Sequence, residues 1–108
     1  MIIGDIMIQT IEVIIKSGPI EEVNALILYE KNICYINNKK YQITEDFKKE
    51  FLETIYSWKN EYGNDKNIDS EEFLLTVKTK EKKETFHGKG IFPHNYEYLK
   101  ELLGDING

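Results

Sequence analysis

Two histidines, His87 and His94, lie seven residues apart with Lys89 between them, in the stretch Phe86-His-Gly-Lys-Gly-Ile-Phe-Pro-His. Residues of these types can hold an anion, shuttle a proton or ligate a metal. Gly88-Lys89-Gly90 precedes a helix start near Pro93, and a helix N-terminus attracts negative charge. Lys89 and His94 are therefore the candidate small-anion site, with His87 beside them. The stretch is neither a Gly-x-x-x-x-Gly-Lys-Ser/Thr loop nor a Gly-x-Gly-x-x-Gly fingerprint. The glycines are more simply explained as the bend that takes a strand into a proline-started helix. No Cys-x-x-Cys or His-Glu-x-x-His pattern accompanies the histidines, so no metal is expected.

The remaining reactive groups point away from catalysis. Cys34 lies between Ile33 and Tyr35 in an apolar stretch without local bases. That is the setting of a buried structural cysteine, since a reactive thiol needs a basic, partly exposed site. Ser17, Ser57 and Ser70 fall in no Gly-x-Ser-x-Gly elbow. The acid pairs Glu21-Glu22 and Glu71-Glu72 flank strand-like segments, where adjacent carboxylates face water. Lys78 to Lys83 holds four lysines interrupted by Glu81, which reads as a charged hairpin tip that discourages edge pairing. No catalytic residue and no cofactor are expected.

Composition narrows the classes further. The chain has 108 residues, 19 acids against 14 bases, and a formal charge of −5; every base is lysine. This length suits one domain spanning 1–108 with its own core. An acidic chain without arginine is poorly equipped for nucleic acid. The single cysteine fits a reducing, cytoplasmic setting. Isoleucine-rich residues 1–15 are broken by Asp5, Gln9 and Glu12, and the first lysine follows them, so neither a secretory leader nor a membrane span is expected. Abundant lysine, isoleucine and asparagine suggest an AT-rich, bacterial genome.

The elements that position these groups follow from periodicity. Residues 8–16 alternate, with Gln9, Ile11, Val13 and Ile15 on one side and Thr10, Glu12, Ile14 and Lys16 on the other. Ser17-Gly18-Pro19 ends that strand. Residues 24–30, 33–37 and 40–43 continue an antiparallel meander, with Asn37-Asn38 suited to a tight turn. Thr44 is an N-cap, and Phe47, Phe51, Ile55, Trp58 and Tyr62 recur at helical spacing up to Gly63. A polar loop covers 64–71. Phe73 to Thr79 and Glu84 to Gly88 form two further strands. Pro93 then opens a second helix, with Tyr96, Leu99, Leu102 and Leu103 on its apolar side and Gly104 at its end. The order is β-β-β-(β)-α-β-β-α, an α+β fold with a mainly antiparallel sheet of five to six strands and two helices.

Two helices cannot readily cover both faces of such a sheet, so either one helix packs on each side or the second face is open. Ile14, Leu26, Leu28 and Leu74 fall on the side opposite Ile11, Val13 and Phe73, and form the candidate interface. The leading expectation is a non-enzymatic protein–protein interaction module, binding a protein partner or a second copy. Alternatives are an inhibitor or immunity-type protein that neutralises a basic toxin or enzyme, and a small-anion or ligand binder, or small enzyme, using Lys89, His87 and His94.

Overall fold

The computed structural model describes residues 7–107. It is an α+β protein built on a seven-stranded, mostly antiparallel sheet in the order β4-β3-β2-β1-β6-β7-β5. The strands are β1 (Ile8–Ser17), β2 (Ile20–Leu28), β3 (Ile33–Ile36), β4 (Lys39–Gln42), β5 (Glu61–Asn64), β6 (Glu71–Thr79) and β7 (Lys83–Lys89). The helices are α1 (Glu45–Ile55) and α2 (Tyr96–Asn107). Strand β1 is central: Val13 stands between Ala25 of β2 and Leu75 of β6.

Alternation sorts the sheet into two unlike faces. Ile11, Val13, Ile15, Ala25, Ile27, Cys34, Ile36, Phe73, Leu75, Val77 and Phe86 are buried. They join Phe51 and Ile55 of α1 and Tyr96, Leu99, Leu102 and Leu103 of α2 in one continuous core. Both helices therefore lie on the same face. The molecule measures 38 × 30 × 22 Å. A thickness of 22 Å accommodates one sheet and one layer of helices about 10 Å thick, and no third layer.

Local chemistry accounts for the joints. The Thr44 hydroxyl accepts the Phe47 amide at 3.0 Å, while Glu45 and Asp46 occupy the first turn of α1. Asn37 and Asn38 both take positive φ, 49° and 72°, and close the two-residue β3–β4 hairpin.

Four boundaries differ from the sequence expectation. Gln9 does not share a side with Ile11: a bulge places two residues of β1 against one step of β6, turning Ile8 inward and Gln9 outward. Strand β2 starts earlier, at Ile20, and Tyr29–Lys31 form a 3-10 turn instead of extending it. Helix α1 stops at Ile55, eight residues before Gly63. Ser57, Asn60, Gly63 and Asn64 are weak helix formers, and residues 61–64 pair with β7 instead. That added strand runs parallel to β7, so the sheet gains a seventh member. Trp58 and Tyr62 still reach the core, from a loop and from β5. Finally, α2 begins at Tyr96 and continues past Gly104. Pro93 lies in the preceding turn, where its carbonyl accepts the Tyr96 amide at 3.1 Å.

Asn95 locks the two helices together. Its Oδ1 accepts the Trp58 indole N–H, and its Nδ2 donates to the Thr54 carbonyl at 2.6 Å, one of the otherwise unpaired carbonyls at the end of α1.

Candidate functional site

The uncovered face of the sheet collects most of the groups singled out by sequence. Ile14 stands opposite Asn24 of β2 and Leu74 of β6. One row away, Leu26 stands between Glu12 of β1 and Tyr35 of β3. In the next row, Leu28 lies between Thr10 and Ile33. Ile14, Leu26, Leu28, Ile33 and Tyr35 are half-buried by their neighbours alone, and Leu74 is 38% exposed. Ile33 and Tyr35 were missed in the sequence. The alternation of β3 places them opposite Cys34 and Ile36, and so outward, once those two are recognised as core.

A charged corner adjoins this apolar band. His87, facing Leu74 across the β6–β7 pair, sits between two carboxylates. Its Nδ1 donates to Glu61 Oε1 at 2.6 Å and its Nε2 donates to Glu72 Oε2 at 2.6 Å. Ionised carboxylates accept and do not donate, so both contacts are satisfied together only when the ring is the doubly protonated imidazolium. The bonds to Glu61 and then Glu72 raise the His87 pKa, while the His87 bond holds Glu72 below its ordinary value. Lys16 Nζ lies 3.9 Å from Glu72 Oε1. Ile14, Lys16, Glu21, Glu72, Leu74 and His87 line a hollow of about 200 Å³ here.

This arrangement is an ion-pair bridge. With both nitrogens engaged, His87 has none left to accept a proton. The two carboxylates lie on opposite ring nitrogens and do not converge on a point. Among the described residues no group of three or more His, Cys, Asp or Glu could hold a metal ion. Cys34 is buried in β3, and burial pushes its thiol up to about 11, which keeps it protonated at neutral pH.

Lys89 and His94 are not gathered at a helix start. Lys89 belongs to β7, seven positions before α2 begins, and Asp65 and Glu72 both feel its charge. His94 is exposed in the turn before α2, and no hydrogen bond or ion pair joins it to His87 or Lys89.

The His87 bridge gives stability a defined pH dependence. A raised His pKa contributes stability that is complete below the unfolded value of about 6.5 and fades as pH rises through the folded value. The lowered Glu72 pKa contributes above the unfolded value of about 4.3 and is lost as pH falls through the folded one. The unfolding free energy from urea titration is therefore expected to peak between about pH 5 and 6.5 and to decline by a few tenths of a kcal/mol toward pH 8, the scale of solvent-exposed pairs. His87→Gln should flatten the alkaline limb. An unchanged slope in that variant would remove His87 as its source.

No helix among the described residues is long and apolar enough to cross a membrane. Comparison of the chain with protein-family models, with curated proteins and with solved structures returned no match.

Proposed function

We propose that the protein is a non-enzymatic interaction module that docks a protein surface, a second copy of the chain first, through the uncovered face of its sheet. The observation that carries this reading is the one-sided cover: both helices shield one face, while Leu28, Leu26, Ile14 and Leu74 run side by side across the other. A contiguous band of partly exposed apolar side chains of this kind marks interaction sites. A footprint bounded by 38 × 30 Å is ample for the roughly 800 Å² per partner of an ordinary interface.

Charge favours a second copy over a basic target. The open face carries five lysines (Lys16, Lys40, Lys78, Lys83, Lys89) and, when protonated, His87, against four glutamates (Glu12, Glu21, Glu61, Glu72). The whole chain carries −5, so its acid surplus lies elsewhere. A basic toxin would be steered to the acidic sides, whereas two acidic copies approach most easily through the face that carries no acid surplus.

The test is light scattering across a concentration series. The wild-type mass is expected to rise toward that of a dimer, and Ile14→Asp with Leu26→Asp should hold the monomer with its fold retained by circular dichroism. A wild-type chain still monomeric at about 1 mM, where even a 4 kcal/mol association would register, overturns self-docking.

A further inference from the structure

A second hollow, on the helical side, lies between α2 and the ends of β1, β2 and β3. Its volume is about 220 Å³, with Ile15, Val23, Ile36 and Leu103 among its walls. That exceeds the roughly 150 Å³ cavity that accepts a benzene ring. It is smaller than the roughly 300 Å³ at which pockets for drug-sized molecules begin. A group of about six carbons is the right size.

The mouth of this hollow is bordered by Gly104. Glycine inside a helix is about 1 kcal/mol worse than alanine. Gly104 does not have a positive φ, and a Cβ added there would meet nothing within 4 Å. Neither backbone conformation nor close packing calls for glycine at this position. Its effect is to leave the opening unobstructed.

The rim is acidic. The Glu22 carboxylate is exposed and makes no hydrogen bond or ion pair among the described residues. Lys100, the one cation at the rim, is already held by Glu71 at 3.1 Å and Glu97 at 3.6 Å, and lies 5.1 Å over the Tyr96 ring. The Tyr96 hydroxyl donates to Glu71 at 2.6 Å. Its ionisation is raised by burial first, then by Glu71, with Glu97 and Glu22 adding to the effect, so all three carboxylates act on this region.

We propose that the hollow is a binding site for a short primary alkylamine, with the chain against Ile15, Val23, Ile36 and Leu103 and the ammonium at Glu22. A hollow with apolar walls on one side and an unpaired carboxylate on the other selects an amphiphile with a cationic end, because a carboxylate-ended chain would meet Glu22 and a lysine already engaged by Glu71 and Glu97. This site is separate from the uncovered sheet face, and binding here does not depend on docking there.

The experiment is amide NMR titration of the full chain with n-hexylamine, which is cationic at pH 7, and with hexanoate at equal concentration. Hexylamine is expected to shift Val23, Ile36 and Gly104 with a dissociation constant near about 1 mM, and hexanoate to bind at least about tenfold more weakly. Glu22→Gln should weaken hexylamine about tenfold, and Gly104→Leu, which fills the mouth, should abolish the shifts in a folded chain. Ile14→Asp with Leu26→Asp should leave the titration unchanged. Absent shifts with hexylamine, equal binding of hexanoate, or an undiminished titration in folded Gly104→Leu would each overturn the proposal.

Discussion

Phe73→Ala is expected to remove about 3–5 kcal/mol of stability, the range for emptying a buried phenylalanine site. Phe73 is 1% exposed on β6, the strand beside the central β1. Four aromatic rings surround it: Tyr96 at 5.1 Å, Trp58 at 5.4 Å, Phe92 at 6.1 Å and Tyr62 at 6.3 Å between centroids. These come from α2, from the loop after α1, from the segment before α2 and from β5. No single neighbour can move in to fill the space, because each is anchored to a different element. Domains have only about 5–15 kcal/mol in total, so the loss is a large fraction of the whole. Urea unfolding followed by Trp58 fluorescence and by circular dichroism measures it. A loss below about 1 kcal/mol would show that these rings are not the packing centre of the fold. Phe73→Leu, closer in volume, should lose clearly less.

Gly88→Val should be nearly as damaging, for the opposite reason. A Cβ at Gly88 would stand 2.5 Å from the Ile91 carbonyl oxygen and 2.7 Å from Phe73 Cε1. The carbonyl belongs to the backbone and cannot rotate aside. Either β7 parts from residues 91–92 or the Phe73 ring is displaced. Overpacking of this kind typically costs about 1–3 kcal/mol, and the branched valine belongs at or above the upper end. Gly104→Ala is the internal control. Nothing crowds a Cβ there, so the same change of type should stabilise by about 0.5–1 kcal/mol. Thermal melts of Gly88→Ala and Gly104→Ala should therefore move in opposite directions. Movement in the same direction would mean that backbone approach at Gly88 is not what selects glycine.

Much of this architecture was legible because local chemistry and tertiary demand agree. Thr44 with Glu45 and Asp46 announces α1, and Asn37-Asn38 announces the hairpin they close. Period-two alternation gave the two faces of β6, and of β1 from Thr10 onward, and with them the outward placement of Ile14 and Leu74. The end of α1 was illegible for a specific reason. Trp58 and Tyr62 continue the helical spacing of Phe47, Phe51 and Ile55, yet they reach the core from a loop and from β5. Spacing identifies residues that seek the core but not the backbone that brings them there. The bulge at Gln9 was hidden likewise, since a single extra residue is visible only against its partner strand. The Glu61–His87–Glu72 bridge joins groups 26 and 15 positions apart, and the Glu22, Lys100 and Gly104 rim joins a strand to a helix about 80 positions later. No local pattern encodes either grouping. They exist only after β5 and β6 flank β7, and after α2 crosses the sheet.

The position of β1 at the centre also governs when the protein can form. Val13 pairs with Leu75, sixty-two positions away, whereas its partners in β2 are close along the chain. During synthesis the first four strands and α1 can emerge and organise while the flank of β1 that β6 will occupy still lacks its complement. Closing that long loop carries an entropic penalty before any contact rewards it, which places the rate-limiting event late and slows assembly relative to folds with nearer neighbours. Until residue 79 has left the ribosome, the nascent sheet presents an unsatisfied inner margin, the period in which a chaperone would matter most to it.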